Sequence, residues 1–289
     1  MAAAAEKTER IYNPWNDVNR VIPDHIIMTI LKKYGFIDKV NNLDLFRQAC
    51  VHQSYVDRLE NRMTESGSKD ESVIVAPRPE GVLPLCKVDN ETIEFIGDSL
   101  LGSTIALYLF DRYPDEDEGF LTKMKIRLVN NKSLGELATK MGFKKWLIIS
   151  RHVEQVCNGR NNVRILGSML EAWIGAIYLD CMKTNPLTAF SKVQNWLINL
   201  FETEIDFTQI IYENNNFKDQ LLQYYQANFH TPPKYKEISA IGPIHDRVYT
   251  MGVLDIEGNV IAQSSSKHKK MAEQEASKLA LAILTAKKE

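Results

Sequence analysis

The stretch NETIEFIGDSLL, residues 90–101, decides how the rest of the chain is read. Wound at 3.6 residues per turn, it sets Glu91, Glu94 and Asp98 at i, i+3 and i+7, one acidic stripe down one face. Ile93, Phe95 and Ile96 flank the stripe, and Gly97 leaves room for another backbone to come close. Farther on, ILGSMLEAWIGAIYLD, residues 165–180, is a second apolar helix with Ser168 and Glu171 one turn apart. Acidic stripes on helices ordinarily face water. Here the apolar neighbours argue for partial burial, where like charges repel and each carboxylate is pushed toward protonation. If the two helices cross, their polar spots meet as one pocket. A hard divalent cation such as Mg²⁺ then relieves the repulsion by taking carboxylate oxygens.

Outward from these helices, residues 23–204 are helical in pattern almost throughout. DHIIMTILKKYGF, LDLFRQACVHQSYVDRL, TIEFIGDSLLGSTIALYLFDRYP and GFLTKMKIRLVNNKSLGELATKMGF all repeat apolar residues at three- and four-residue steps. Residues 1–22 form an N-terminal extension. Residues 61–85, rich in Ser, Glu, Pro and Gly, form a flexible insertion in this all-α domain. A linker over residues 205–215 leads to a different texture in residues 216–289. There FKDQLLQYYQANF is a helix, PKYKEISAI, RVYTMGVLDI and NVIAQSS are strands, and KKMAEQEASKLALAILTAKK returns to helix. The order α-β-β-β-α makes a small second α+β domain. Tyr224 and Tyr225 on its first helix are half core and half surface.

The chain is 289 residues long and 44% hydrophobic, enough for one to three domains with real cores. With a formal charge of −2 the molecule as a whole is no obvious binder of polyanions, so any nucleic-acid surface has to be a local patch. Cys50, Cys86, Cys157 and Cys181 form no CxxC pair and are expected to be reduced thiols. The N-terminus carries acids early and lacks a signal core, and no uninterrupted apolar run approaches the roughly 20 residues of a membrane span. A soluble, intracellular, cytoplasmic protein with no membrane partner is the expectation.

At this point the motifs resemble a known family. ETIEFIGDSLL is similar to the signature of ribonuclease III, the Mg²⁺-dependent endonuclease of double-stranded RNA. HQSY, residues 52–55, DEGFLTKMKIRLVNNKSLGELA and NNVRILGSMLEAWIGAIYLD resemble that family's flanking segments, in the right order. The resemblance implies that Glu94, Asp98 and Glu171 are metal ligands. It makes Glu91 and Glu118 supporting acids of the cleft, and Phe95 an apolar knob in a homodimer contact. Mg²⁺ is the implied cofactor, with Mn²⁺ able to replace it. The implied chemistry is hydrolysis leaving 5′-phosphates and two-nucleotide 3′ overhangs. Ser168 departs from the pattern, which has Asp there; a neutral hydroxyl is a weaker ligand. Two readings therefore stand: a metal-assisted nuclease weakened at Ser168, or a catalytically inactive duplex-RNA binder acting as a structural subunit.

The second domain carries Lys267, Lys269 and Lys270 at the start of its last helix, over the positive end of the helix dipole. A phosphate partner accounts for that placement. The region resembles a double-stranded RNA-binding domain, which implies minor-groove contacts from Gln223 and His245 and phosphate contacts from the three lysines.

Overall fold

The computed structural model of the chain describes residues 10–57, 73–212, 217–243 and 246–286. It divides into two units, Met1–Asp206 and Phe207–Glu289.

The first unit is built from helices α1 (Asp24–Lys33), α2 (Leu43–Ala49), α3 (Glu91–Arg112), α4 (Glu118–Val129), α5 (Asn131–Lys140), α6 (Arg151–Gln155), α7 (Val163–Thr184) and α8 (Pro186–Glu204). Helix α7 is its axis. Leu166, Leu170, Ile174 and Ile177 are wholly buried, and Trp173 meets Phe46 edge-on at 5.2 Å. Each such aliphatic side chain contributes about 1.5–3 kcal/mol over leaving it exposed. That gain lets the same helix carry a carboxylate that burial disfavours.

Two glycines bring α3 onto α7. A Cβ on Gly97 would lie 1.7 Å from the Glu171 carbonyl oxygen, and one on Gly175 would lie 2.2 Å from that of Ile93. Only hydrogen fits at either place, so the two backbones touch. By length and composition both helices could cross a membrane, although no uninterrupted apolar run does. Within the fold they are each other's neighbours, and 67% of the α7 window is buried inside the protein.

The structure departs from the sequence pattern in several places. LDLFRQACVHQSYVDRL is not one helix. Helix α2 stops at Ala49, Val51 bridges to Ile148, and Gln53–Tyr55 forms one 3-10 turn capped by the His52 ring. The segment after Gly119 breaks at Asn130, whose side chain accepts from Lys132 N and Ser133 N, both at 3.0 Å, and so starts α5. In both places a polar side chain competes with the helix for backbone N–H groups. The described part of the N-terminal extension is built into the domain. Strand β1 (Arg10–Tyr12) pairs in parallel with β2 (Val73–Val75), and the buried Asn16 and Asn19 donate to the Ile149 carbonyl at 3.1 and 3.0 Å. Residues 61–72 of the expected insertion lie outside the described residues. Beyond them, Val73–Val75 pairs with β1 and Leu83 and Leu85 pack against the Tyr55 cluster, with residues 77–81 exposed between.

The second unit contains α9 (Phe207–Tyr212), inside the expected linker, then α10 (Phe217–Phe229), β3 (Lys234–Ile241), β4 (Val248–Leu254), β5 (Val260–Ser266) and α11 (Lys269–Ala286). The sheet is antiparallel in the order β3-β4-β5. Between β4 and β5, Asp255 Oδ1 accepts from Glu257 N and Asn259 N at 2.9 and 2.8 Å, and Gly258 supplies φ +92°. Leu221, Tyr225, Val253, Ala262, Ala276 and Ala280 form the core. Tyr225 is fully core, its hydroxyl donating to Leu254 O at 2.8 Å, whereas Tyr224 is only partly covered.

Candidate active site

The N-terminus of α3 is fastened to the loop after α2. Asn90 N donates to Val51 O at 2.9 Å, Asn90 Nδ2 to Ala49 O at 3.3 Å, and Glu91 N to Asp89 Oδ1 at 3.1 Å. Helix α7 starts at Asn162, whose side chain accepts from Arg164 N at 2.9 Å. With both starts fixed and Gly97 seated on the Glu171 backbone, the two polar spots share one cleft. Its volume is about 620 Å³, and Glu91, Glu94, Asp98, Ser168 and Glu171 line it. Phe95 also lines it, yet is 75% exposed. Glu118 is not brought in: it is exposed on the first turn of α4 and accepts from the Thr122 hydroxyl at 2.8 Å.

Burial sets the electrostatics. Desolvation raises the Glu171 pKa to about 7, with help from the charges of Asp98 and Glu94. Desolvation also raises Glu94, and Glu91, Asp98 and Asp89 add to it. The Ser168 hydroxyl nearby opposes the rise. Ser168 thus sits beside Glu94 and favours its charged form, an effect that its spacing alone does not reveal.

A donor set of hard oxygens whose mutual repulsion is uncompensated has the chemistry of a divalent-cation site. Among the described residues, no three His, Cys, Asp or Glu side chains converge closely enough to hold an ion as they stand. Glu94, Asp98 and Glu171 therefore fit such a cation in kind and in neighbourhood, and must draw together to grip it.

Sequence reasoning missed His52, Gln53, Asn90 and Arg164 as cleft residues. The signal available was His52 two residues before Ser54, the spacing of a side chain that caps a turn; reading the segment as continuous helix hid it.

In the second unit, Lys267, Lys269 and Lys270 gather around a separate pocket of about 790 Å³ together with Arg247 and Tyr249. Lys269 Nζ lies 4.9 Å from the centre of the Tyr249 ring and 2.5 Å from a Glu237 oxygen. Lys267 pairs with Asp246 at 2.6 Å. The hydrogen bond to Glu237 raises the Lys269 pKa. Gln223 is exposed on α10 and does not line this pocket, and His245 lies outside the described residues. Arg247 and Tyr249 are additions to the residues expected from sequence.

Comparison with known proteins matches residues 91–182 to the model of the Ribonuclease III domain and residues 217–284 to that of the Double-stranded RNA binding motif. The chain is 36% identical over 192 residues to Ribonuclease 3 of Treponema denticola, covering 66% of this chain and 74% of that one. It is 30% identical over 244 residues to Ribonuclease 3 of Borreliella burgdorferi, covering 83% and 85%. A Probable ribonuclease 3 of Acanthamoeba polyphaga mimivirus is 33% identical over 276 residues. That match takes in 94% of this chain but spans only about half, 47%, of the longer viral protein.

Proposed function

The chain belongs to the ribonuclease III family of double-stranded RNA endoribonucleases, and on that premise we propose that its acidic cleft hydrolyses duplex RNA with Mg²⁺ or Mn²⁺ as the ion. The observation that carries the reading is that Glu94, Asp98 and Glu171 line one cleft, where burial pushes the Glu171 pKa up to about 7.

Glu94 and Asp98, on the rigid α3, and Glu171, on α7, are the residues that would hold the ion. Held there, such a cation would supply charge neutralisation for the phosphate and a water of lowered pKa. The chain's own residues do the rest. Ser168 lies beside Glu94 and favours its charged form. Glu91, exposed at the rim, adds negative charge that favours an ion. Lys267, Lys269 and Lys270 hold phosphates of the duplex through charge, with little regard to sequence. Gln223 and His245 are assigned to the minor groove by the same family reading. Glu118 is assigned to the second rank, as an acid that supports RNA or metal from outside the cleft.

We further propose a homodimer. Phe95, Leu107 and Phe110 on α3 and Ile126 on α4 are exposed, at 75%, 49%, 66% and 61%. Apolar exposure of that kind on core helices suits a partner surface, and a second copy would place one cleft on each RNA strand. Paired cuts would then leave two-nucleotide 3′ overhangs. The four cysteines are free thiols, which suits the reducing cytoplasm.

The test is incubation of the purified chain with long duplex RNA across Mg²⁺ and Mn²⁺ concentrations. Staggered cleavage that Glu171→Gln abolishes supports the enzyme; intact binding with no cleavage at any metal concentration refutes it. Ser168 motivates the second reading, a non-catalytic binder. Activity that appears only in Ser168→Asp would favour it.

A further inference from the structure

The cleft that gathers the acids also receives His52, which has no part in the reading above. Its ring is fixed from behind. Ser54 N donates to His52 Nδ1 at 3.2 Å. Ser54 Oγ lies 2.9 Å from the same nitrogen and itself accepts from the buried Ser150 N at 3.0 Å. The backbone is held as firmly, with His52 N donating to Ile148 O and Tyr55 N donating to His52 O, both at 3.0 Å. A nitrogen that accepts a backbone N–H carries no proton, so the neutral ring keeps its one proton on Nε2. Burial lowers the His52 pKa against the opposing pull of Glu91 and Asp89, which favours the neutral ring.

A phosphodiester entering a cleft with four acids needs hydrogen-bond donors. A cationic donor in contact with those acids would pair with them and compete with a divalent ion. A neutral N–H does not. Of the other cleft side chains that carry N–H groups, Asn90 Nδ2 donates to Ala49 O and Gln53 and Arg164 are exposed, whereas the His52 ring is half-buried and held in place.

We propose that His52 is a substrate-positioning residue whose Nε2–H donates to a phosphate oxygen of the RNA strand in the acidic cleft. The inference rests on the nuclease reading of that cleft and adds a donor to it.

Two variants separate this role from the cap on the Gln53–Tyr55 turn. In His52→Asn the amide oxygen stands where Nδ1 stood and still accepts Ser54 N–H, but the Nε2 donor is gone. In His52→Gln the amide nitrogen reaches the Nε2 position, and the cap is lost. The expected result is a kcat about 10- to 100-fold lower in His52→Asn. Its KM should lie within about 3-fold of the parent, since remote lysines bind the duplex, and its unfolding midpoint within about 2 °C. His52→Gln should recover most of kcat. A His52→Asn chain that cuts as fast as the parent overturns the inference. A folding-independent readout is the His52 Nε2–H resonance in a Glu171→Gln chain with Mg²⁺, which should shift when duplex RNA is added. A resonance that stays put also overturns it. A parent chain that cuts no RNA refutes the nuclease reading itself, and is thereby distinguished from failure of the His52 assignment.

Discussion

The acidic cleft of the first unit and the basic pocket of the second are opposite in charge and also in construction. The carboxylates sit where two helix backbones touch, and burial moves the Glu171 pKa to about 7. The lysines stand in water, with Lys267 and Lys269 side chains 69% and 51% exposed, and each is paired with a similarly accessible acid. One site stores unfavourable electrostatic energy that a ligand can release; the other offers a salt-sensitive surface that costs little to keep. Chemistry that must place an ion and a phosphate together needs the first kind of site. Holding a duplex of any sequence needs only the second.

The sharpest break between the two comes from Glu171→Gln. Cleavage should fall by at least about 100-fold, while duplex affinity through the second unit stays at the parental value. The same variant reports the stored energy. Because the folded pKa of Glu171 lies above the ordinary 4.5, the folded chain holds a proton that the unfolded chain gives up between about pH 4.5 and 7. Parental stability should therefore drop across that window as pH rises. Glu171→Gln, with nothing to ionise, should match the parent near pH 4 and melt above it at pH 8 in metal-free buffer. Thermal unfolding at the two pH values checks the sign.

Gly97→Ala attacks the construction of the cleft and leaves its acids in place. The new methyl has no room against the Glu171 carbonyl, so the helices must part, at a cost of about 1–3 kcal/mol. Displacing Glu171 by about an ångström should slow cleavage by about 100-fold. A lowered unfolding midpoint with unchanged duplex affinity would separate this effect from damage to the binding surface.

That lock was partly legible in the chain. Glu91, Glu94 and Asp98 fell on one face because helical spacing demands it, and Gly97 beside them marked the close approach. The three strands were readable from their patterning. Other features depended on partners far away in sequence. Asn16 and Asn19 have no periodicity to betray that they are buried against Ile149. His52 enters the cleft only because α2 ends at Ala49. Glu237 reaches Lys269 beside an irregularity in the β3–β4 register that no local pattern announces. Ser168 was visible as a departure, but its effect on the Glu94 carboxylate required the two helices in place.

At the basic pocket the expected effects are smaller. Replacing Lys269 and Lys270 by Ala should weaken duplex binding almost equally for all sequences and lower the slope of log affinity against log salt by about 2. Cleavage should then suffer through KM, with kcat preserved. The smallest effect belongs to Glu237→Gln, which frees Lys269 from its acid partner. An exposed pair of this kind is worth about 0–1 kcal/mol, so duplex affinity at low salt should rise by no more than about 5-fold. Filter binding across a salt series measures both changes, and an effect of Glu237→Gln on kcat would blur the division between the sites.

The central claim is that α3 and α7 together make one divalent-cation site, and anomalous diffraction from crystals of the chain soaked in Mn²⁺ tests it most directly. The account predicts a Mn²⁺ peak within bonding distance of Glu94, Asp98 and Glu171, lost in Glu171→Gln. A peak held by α3 alone, or one that survives Glu171→Gln unchanged, would contradict it.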